Sequence, residues 1–384
     1  MEFPKLSISD EWKNLNQFKK LSDDERTIVF YAENKASMNH FKTLIVELTE
    51  NLNHQICYVT SVKDDPIFSS KNKKILPFYI GSGIMRTQFF LTLKAKVLIM
   101  DMPDLQTFHI KRSKIYPVHY IYIFHSMFSI HSYLRKNALD NYDTIFCVGQ
   151  HHIDEITESE KIYNLKPKKL VKYGFGRLDT LLNEKNISKN PNNMKKNLII
   201  ITPSYGENNL LHTCGIKLID ILLKSNFQVI LRPHFRTIKE SVSMIDSINE
   251  NFDKNPNFIL EKGIIPFDSL HNSKCMISDW SGISLEYAFT FEKPVIFLDV
   301  PKKILNPDST DIKLEPIEIS IREKIGHVVS PSNLEIIPEL LNEYETSISN
   351  FNHEIKNIRS KTVFNIQTSA KVGGEYILQL ISEN

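Results

Sequence analysis

Short apolar runs, many of them β-branched, alternate with amphipathic stretches through the first half of the chain. Apolar runs bounded by polar or turn residues are typical of buried strands, whereas apolar residues at three- and four-residue spacing are typical of helices. The pattern predicts helices at 37–52 and 86–91. The predicted strands are residues 27–31, 55–60, 75–80, 96–100, 120–124, 144–148 and 170–173.

The second half repeats this alternation after a polar stretch. Residues 184–196 are rich in Asn and Lys and also hold Ser188 and Pro191, a composition that suits a linker. The strands predicted beyond this stretch are residues 198–202, 227–231, 257–260, 275–277 and 295–298. The predicted helices are residues 208–223, 238–249, 267–271, 282–289, 333–344 and 347–381.

Strands that alternate with helices favour parallel sheets covered by helices on both faces. The sequence therefore predicts an α/β protein with two doubly wound, Rossmann-like domains. The first domain is predicted at 1–188 and the second at 189–345. Helices in 346–384 form a third segment that can cross back to the first domain.

Composition and charge exclude several classes of protein. The 384 residues carry 47 basic and 45 acidic side chains, too balanced for a dedicated nucleic-acid binder. Only 12 glycines are present, about 3% against a typical ~7%, which excludes collagen-like and Gly-rich flexible chains. Basic residues cluster at 161–172, where two alternatives stay open: a solvated surface, or a patch for an anionic lipid or polyanionic substrate.

Cysteine spacing and apolar run lengths bear on the compartment. Four widely separated cysteines have no metal-ligand spacing and are expected to be buried free thiols in a reducing compartment. The N-terminus has no secretory apolar region, and no run reaches the ~18 apolar residues of a spanning helix. We expect a cytoplasmic protein, with peripheral association at the inner face of the membrane as an alternative.

Ligands of open α/β sheets bind at the carboxyl ends of the strands, so polar residues at those positions are candidates for chemistry. His125 directly follows the predicted strand 120–124 and can serve as a general base. The alternative is a structural histidine bonded to a loop carbonyl. Other histidines nearby lack the convergent spacing of a zinc site, so we predict no metal.

Two further strand ends carry residues suited to phosphate. Arg232 and His234 follow the predicted strand 227–231 and form a plausible phosphate-binding pair, or else an ordinary strand-end salt bridge. After the strand 275–277, Ser281 is expected to cap a helix, and Gly282 would let a phosphate approach its free N–H groups. A plain capped helix start is the alternative. The Gly-Lys-Ser/Thr element of a P-loop is absent.

The order of these elements resembles the CDP-glycerol glycerophosphotransferase family, whose enzymes build or prime teichoic-acid-like poly(alditol phosphate) chains. The resemblance covers roughly residues 95–300. Its motifs are matched by His125-Ser126, the segment 141–149, Gly174-Phe175-Gly176-Arg177-Leu178-Asp179, Thr202-Pro203-Ser204, Arg232-Pro233-His234-Phe235, Ser278-Asp279-Trp280-Ser281-Gly282 and Lys293-Pro294-Val295.

The chain departs from the family pattern at several motif positions. Ser126 replaces a glycine, Gly176 and Phe235 replace prolines, and Gly282 replaces a serine. No arginine closely follows Pro203, where the family often has one. These departures leave both histidines in place and bear on the identity of the donor.

The resemblance implies a glycosyltransferase-B-like fold with two domains facing a cleft. The second domain would bind CDP-glycerol or a similar nucleotide alditol, and the first a polyol, polysaccharide or lipid-linked acceptor. No cofactor is implied. An acceptor hydroxyl would attack the donor's β-phosphorus, and CMP would leave. Alternatives are a nucleotide-sugar glycosyltransferase or epimerase of the same fold, and a non-catalytic polymer-binding protein.

The resemblance also implies a role for each candidate residue. His125 is the expected general base, and His234 stabilises the leaving phosphate. Asp279 is included among the catalytic residues and would orient a cationic group. The donor-binding residues are Arg232, Ser204, Ser281, Gly282 and Ser284, and Arg177 and Asp179 are expected to position the cleft.

Overall fold

The structure is a computed structural model that describes residues 7–107, 109–187, 197–263, 267–302 and 305–383. It divides into two compact units, each built around one sheet. The first unit comprises Met1–Thr180, Asn306–Lys313 and Thr362–Asn384. The second comprises Leu181–Leu305 and Leu314–Lys361. The units divide at Thr180/Leu181 and at Lys361/Thr362, whereas the sequence predicted boundaries at 188/189 and 345/346.

Seven parallel strands form the sheet of the first unit, in the order β3-β2-β1-β4-β5-β6-β7. Its central strands are buried on both faces, as the uninterrupted apolar runs predict. The strands are β1 Ile28–Ala32, β2 Ile56–Thr60, β3 Ile75–Tyr79, β4 Val97–Met100, β5 His119–Ile123, β6 Thr144–Cys147 and β7 Lys169–Lys172. The helices are α1 Ser7–Lys20, α2 Met38–Val46, α3 Ile84–Thr92, α4 Ile130–Tyr133, α5 Gln150–Ile162 and α6 Gly176–Ile187, which continues into the second unit.

Six parallel strands form the sheet of the second unit, in the order β10-β9-β8-β11-β12-β13. The strands are β8 Leu198–Thr202, β9 Gln228–Leu231, β10 Phe258–Leu260, β11 Cys275–Ser278, β12 Val295–Leu298 and β13 Gly326–Val329. The helices are α7 Leu210–Lys224, α8 Phe235–Glu240, α9 Val242–Phe252, α10 Phe267–Asn272, α11 Ile283–Phe291, α12 Ile317–Ser320, α13 Arg322–Ile325 and α14 Ile337–Thr362. Two parallel sheets flanked by helices confirm the predicted fold class.

The predicted linker at 184–196 is only partly within the described residues. Its first four residues belong to helix α6, which ends at Ile187, so the prediction is wrong there. The polar composition that indicated a linker is also compatible with an exposed helical turn. The remaining residues, 188–196, lie outside the described part of the chain.

The last helix, α15 (Ser369–Glu383), belongs to the first unit. The segment before it runs along the carboxyl ends of β6 and β7, where the Phe364 N–H donates to the carbonyl of Val148 at 2.8 Å. A Cβ atom on Gly149 would overlap the Thr362 carbonyl oxygen, so this close approach requires glycine. Gly174 has a φ of +107° and meets the Phe364 carbonyl in the same way.

Candidate active site

His125 lies just beyond the carboxyl end of β5 in the first unit. Part of its side chain is exposed, and its imidazole hydrogen-bonds to the main chain of Asp101, which follows the neighbouring strand β4. Desolvation lowers the pKa of His125 below 6.5, and this hydrogen bond opposes the shift. The imidazole is therefore neutral near pH 7 and can accept a proton.

Asp101 stands where the strand order of the first sheet reverses, between β1 and β4. Its Oδ1 accepts a hydrogen bond from the Ser37 hydroxyl at 3.0 Å, and Ser37 ends a short 3₁₀ helix, Lys35–Ser37, that follows β1. Burial raises the pKa of Asp101 to about 7. Ligands of open α/β sheets bind where the strand order reverses. Asp101, whose main chain interacts with His125, lies at such a point.

A second histidine, His40 on α2, lies beside His125 with ring centroids 6.2 Å apart. Desolvation, with smaller contributions from His125 and Arg177, lowers the pKa of His40 to about 3. His40 is thus a neutral, buried imidazole that is close to His125 and Arg177, two residues that the sequence predicted for the site. Sequence reasoning did not single it out, because a histidine among apolar helix residues is typical of a core position.

The two residues predicted to position the cleft have different surroundings in the first unit. Arg177 acts electrostatically on His40 and so belongs near His125. Asp179, in helix α6, is buried against the segment that leads into α15. Its carboxylate accepts hydrogen bonds from the Gln367 N–H at 2.6 Å and from the Ser369 hydroxyl. These contacts commit Asp179 to anchoring α15.

In the second unit, Arg232 and His234 follow β9 as predicted. The Arg232 Nε donates to the Gly263 carbonyl at 3.2 Å. His234 caps α8, since its Nδ1 accepts a hydrogen bond from the Arg236 N–H at 3.2 Å. A neutral imidazole that accepts at Nδ1 carries its proton on Nε2. His234 therefore has a donor of the kind that a phosphate oxygen requires.

Asp279 and Ser204 meet at the reversal point of the second sheet, between β8 and β11. The Asp279 side chain is buried, and its Oδ1 accepts from the Ser204 N–H at 2.6 Å. Its Oδ2 accepts from the N–H of Leu210, the first residue of α7, at 2.9 Å. Both carboxylate oxygens thus accept hydrogen bonds from main-chain N–H groups. Burial raises the pKa of Asp279, and these hydrogen bonds oppose the shift.

The start of α11 differs in detail from the prediction. Helix α11 begins at Ile283, so Gly282 and not Ser281 occupies the capping position; the Gly282 backbone is already helical, and no side chain caps the helix. The Ser281 carbonyl accepts from the Ser284 N–H at 3.1 Å and from the Ser284 hydroxyl at 2.8 Å. The Ser284 hydroxyl is therefore buried and engaged, while the N-terminal N–H groups of α11 lack a side-chain cap.

Arg322 supports the same loop and lies outside every motif that the sequence suggested. Its guanidinium stacks on the Trp280 ring at 3.5 Å and donates to the Asp279 carbonyl at 3.1 Å. Burial lowers the pKa of Arg322 to about 10. The sequence could not reveal this residue, because Arg322 reaches the loop from α13, some forty positions further along the chain, and meets it only in the folded protein.

The residues that the structure describes contain no group of three or more His, Cys, Asp or Glu side chains arranged to hold a metal ion. None of the helices in this part of the chain is both long enough and apolar enough to cross a membrane.

Several solved structures share this fold. A variant of the wall teichoic acid polymerase TagF is 12% identical, with a TM-score of 0.61 over 98% of this chain and 95% of that chain. The S. aureus MnaA–UDP structure is 13% identical, with a TM-score of 0.61 over 94% and 98%. The UDP-GlcNAc 2-epimerase of Methanocaldococcus jannaschii, in complex with UDP-GlcNAc and UDP, is 14% identical, with a TM-score of 0.56 over 93% and 100%.

At these identities the structural similarity establishes the glycosyltransferase-B-like fold and not the reaction. No curated protein matches the sequence of this chain. The family profile described as CDP-Glycerol:Poly(glycerophosphate) glycerophosphotransferase matches residues 14–302, which is well over half of the chain and includes both sheets but for strand β13. The protein therefore belongs to the CDP-glycerol:poly(glycerophosphate) glycerophosphotransferase family.

Proposed function

We propose that this protein transfers glycerol phosphate, or a related alditol phosphate, from a CDP-activated donor to a hydroxyl acceptor and releases CMP. The observation that carries the proposal is the family match over residues 14–302. It is supported by the histidines that stand at strand ends in both units, His125 and His234. TagF, which has a similar fold, is a wall teichoic acid polymerase, and we assign this chain to the synthesis of a polymer of that kind.

In the proposed reaction, the first unit supplies the general base, His125. The acceptor hydroxyl gives its proton to the neutral imidazole of His125, and its oxygen forms a bond to the donor's β-phosphorus. The bond from that phosphorus to the oxygen of CMP breaks, and CMP leaves with the bonding electrons. Such transfer depends mainly on positioning and charge stabilisation. The interaction of the imidazole with the Asp101 main chain contributes to this positioning.

The second unit supplies the groups for the donor. His234 donates from Nε2 and Arg232 contributes charge to the pyrophosphate. The uncapped N–H groups of α11, reached past Gly282, favour a phosphate oxygen, and the helix dipole adds about 0.3–1 kcal/mol. Asp279 acts as a positioning residue in this scheme, because its oxygens hold the loop at Ser204 and the start of α7.

A nucleotide panel tests the proposed function. We expect CDP-glycerol, CDP-ribitol and CMP to raise the thermal unfolding temperature, since a ligand at a hundredfold its Kd stabilises by about 2.7 kcal/mol. UDP-sugars and GDP-sugars should leave it unchanged. Stabilisation by a UDP-sugar alone would instead support a glycosyltransferase or epimerase. Cytidine nucleotide binding without CMP release would support a non-catalytic polymer-binding protein.

We also propose a lipid-linked or polymer acceptor and peripheral association with an anionic membrane. The support is a cluster of exposed lysines at the end of α5 and around β7: Lys161, Lys166, Lys169 and Lys172. Lys168 does not contribute, because it is buried against Glu160 at 3.1 Å. Each exposed basic residue near an anionic surface contributes about 1 kcal/mol.

Liposome flotation tests the membrane proposal. The protein should float with vesicles that contain anionic lipid, and replacing the four exposed lysines by glutamine should abolish flotation. Neutral vesicles are the control. Equal recovery in the bottom fraction with and without anionic lipid would refute the association.

A further inference from the structure

The ring of Tyr205 forms a platform beside His234 in the second unit. Tyr205 follows Ser204 after β8, and its ring centroid lies 4.7 Å from that of the His234 imidazole. The guanidinium carbon of Arg236 lies 4.3 Å from the same Tyr205 centroid. An imidazole and a guanidinium from one short segment therefore pack on a single aromatic ring.

Arg236 is held in place while much of its hydrogen-bonding capacity stays unused by these contacts. Its Nε donates to Glu240 at 2.9 Å, and the Tyr205 hydroxyl is a second polar partner. A guanidinium has five N–H donors in a planar fork, so several donors remain for a ligand. The side chain is exposed to solvent. Stacking on an aromatic ring limits the freedom of such a cation without covering the edge of the fork.

Two other arginines near these strand ends differ from Arg236 in exposure, since Arg322 is buried and Arg232, already assigned to the pyrophosphate, is partly buried. Arg322 is buried against Trp280 and the main chain of Asp279. Arg232 is partly buried, and its Nε is used by the Gly263 carbonyl. Arg236 is an exposed, oriented cation two residues from His234. The sequence offers no arginine closely after Pro203, on the same loop as Tyr205.

We propose that Arg236, oriented by Tyr205, binds a phosphate oxygen of the nucleotide donor and supplies the charge that the loop after Pro203 lacks. This inference rests on the proposed function, since it names a further residue for the same donor. A planar fork can engage two phosphate oxygens at once, whereas an ammonium group acts as a point charge.

Isothermal titration of CDP-glycerol into the whole protein tests this role. Arg236→Ala should weaken the Kd about tenfold or more, the loss expected for a charge-assisted hydrogen bond. Arg236→Lys should recover only part of that loss. The matched control is Lys239→Ala, which removes an exposed cation from the same helix α8 and should leave the Kd within about twofold.

The platform has its own pair of variants. Tyr205→Phe keeps the ring and should bind nearly as the wild type does, whereas Tyr205→Leu removes the aromatic face and should weaken binding as Arg236→Ala does. Tyr205→Leu should cost less in the Arg236→Ala background than in the wild type, because the part that acts through Arg236 is already lost and only the contact with His234 remains. Equal costs in the two backgrounds would show that the two residues act separately and would overturn the proposal.

The outcomes separate this proposal from the proposed function. If the wild type binds CDP-glycerol and Arg236→Ala binds it equally well, the role of Arg236 is refuted and the function stands. Equal losses in Arg236→Ala and Lys239→Ala would refute a specific contact in favour of a general charge effect. If the wild type binds no CDP-alditol, the proposed function itself fails. Far-ultraviolet circular dichroism of each variant confirms that the comparison is between folded proteins.

Discussion

Replacing His125 by alanine is expected to lower the rate of CMP release from CDP-glycerol by about 10²–10⁴-fold, the usual contribution of a general base. The fold should remain intact, because the side chain is partly exposed and lies beyond the end of β5. The substrate Kd should change little, since the lost group acts on the acceptor proton. Steady-state CMP release with purified protein and a soluble polyol acceptor measures the effect.

The pH profile gives the same prediction an independent readout. Desolvation lowers the pKa of His125 below 6.5, so the catalytically competent, neutral form prevails above about pH 7. The rate should be flat with respect to this group above that pH, and should fall as the pH drops through the His125 pKa. The residual rate of His125→Ala should lack this acidic limb.

His119 provides a matched control on the same strand. It lies at the amino end of β5, where its Nε2 is paired with the Thr144 hydroxyl at 2.8 Å. His119→Ala should retain activity within about threefold, as expected for a change away from the reacting groups. A rate for His125→Ala above a tenth of the wild-type value would contradict the role of His125 as base.

Replacing Asp279 by alanine is expected to lower the free energy of unfolding of the second unit by about 3 kcal/mol, because two buried N–H groups lose their acceptor. Those groups belong to Ser204 and Leu210. Activity should fall in parallel, since the loop after β8 and the start of α7 lose the group that joins them. Denaturant unfolding followed by tryptophan fluorescence measures the change.

The chain offers a convenient probe and control for this experiment. Trp280 is adjacent to Asp279, and the other tryptophan, Trp12, lies in α1 and can be replaced by phenylalanine in all samples. Asp220→Ala removes an exposed carboxylate from α7, where it pairs with Lys224 at 2.7 Å, and should cost less than about 0.5 kcal/mol. Unfolding of Asp279→Ala at the wild-type denaturant midpoint would contradict the structural account.

The apolar pattern of the sequence located most of the strands because they are buried on both faces and therefore read as short uninterrupted runs. Strand β13 (Gly326–Val329) was not predicted, since its glycine and histidine dilute the apolar signal and its identity depends on pairing with β12. Helix α1 was also missed. Its apolar residues are few, and two of them, Leu15 and Phe18, become buried only in the folded unit.

Candidate residues at strand ends were accessible from sequence because the topology of parallel sheets brings those ends to one edge. What each residue does there was not accessible. Asp279 was assigned to chemistry, and its contacts with two N–H groups emerge only when β8 and β11 lie side by side. His40 and Arg322 come from helices whose register relative to the site is set by tertiary packing.

The placement of residues 362–384 in the first unit has a consequence for synthesis of the protein. A ribosome releases the seven strands of the first sheet long before it makes the segment that covers the ends of β6 and β7. Until then Gly149 lacks its contact with the Thr362 carbonyl, and the carboxylate of Asp179 lacks the Gln367 N–H that it accepts from in the folded protein. The nascent first unit is thus held incomplete while the second emerges, a period in which chaperone binding or aggregation competes with folding.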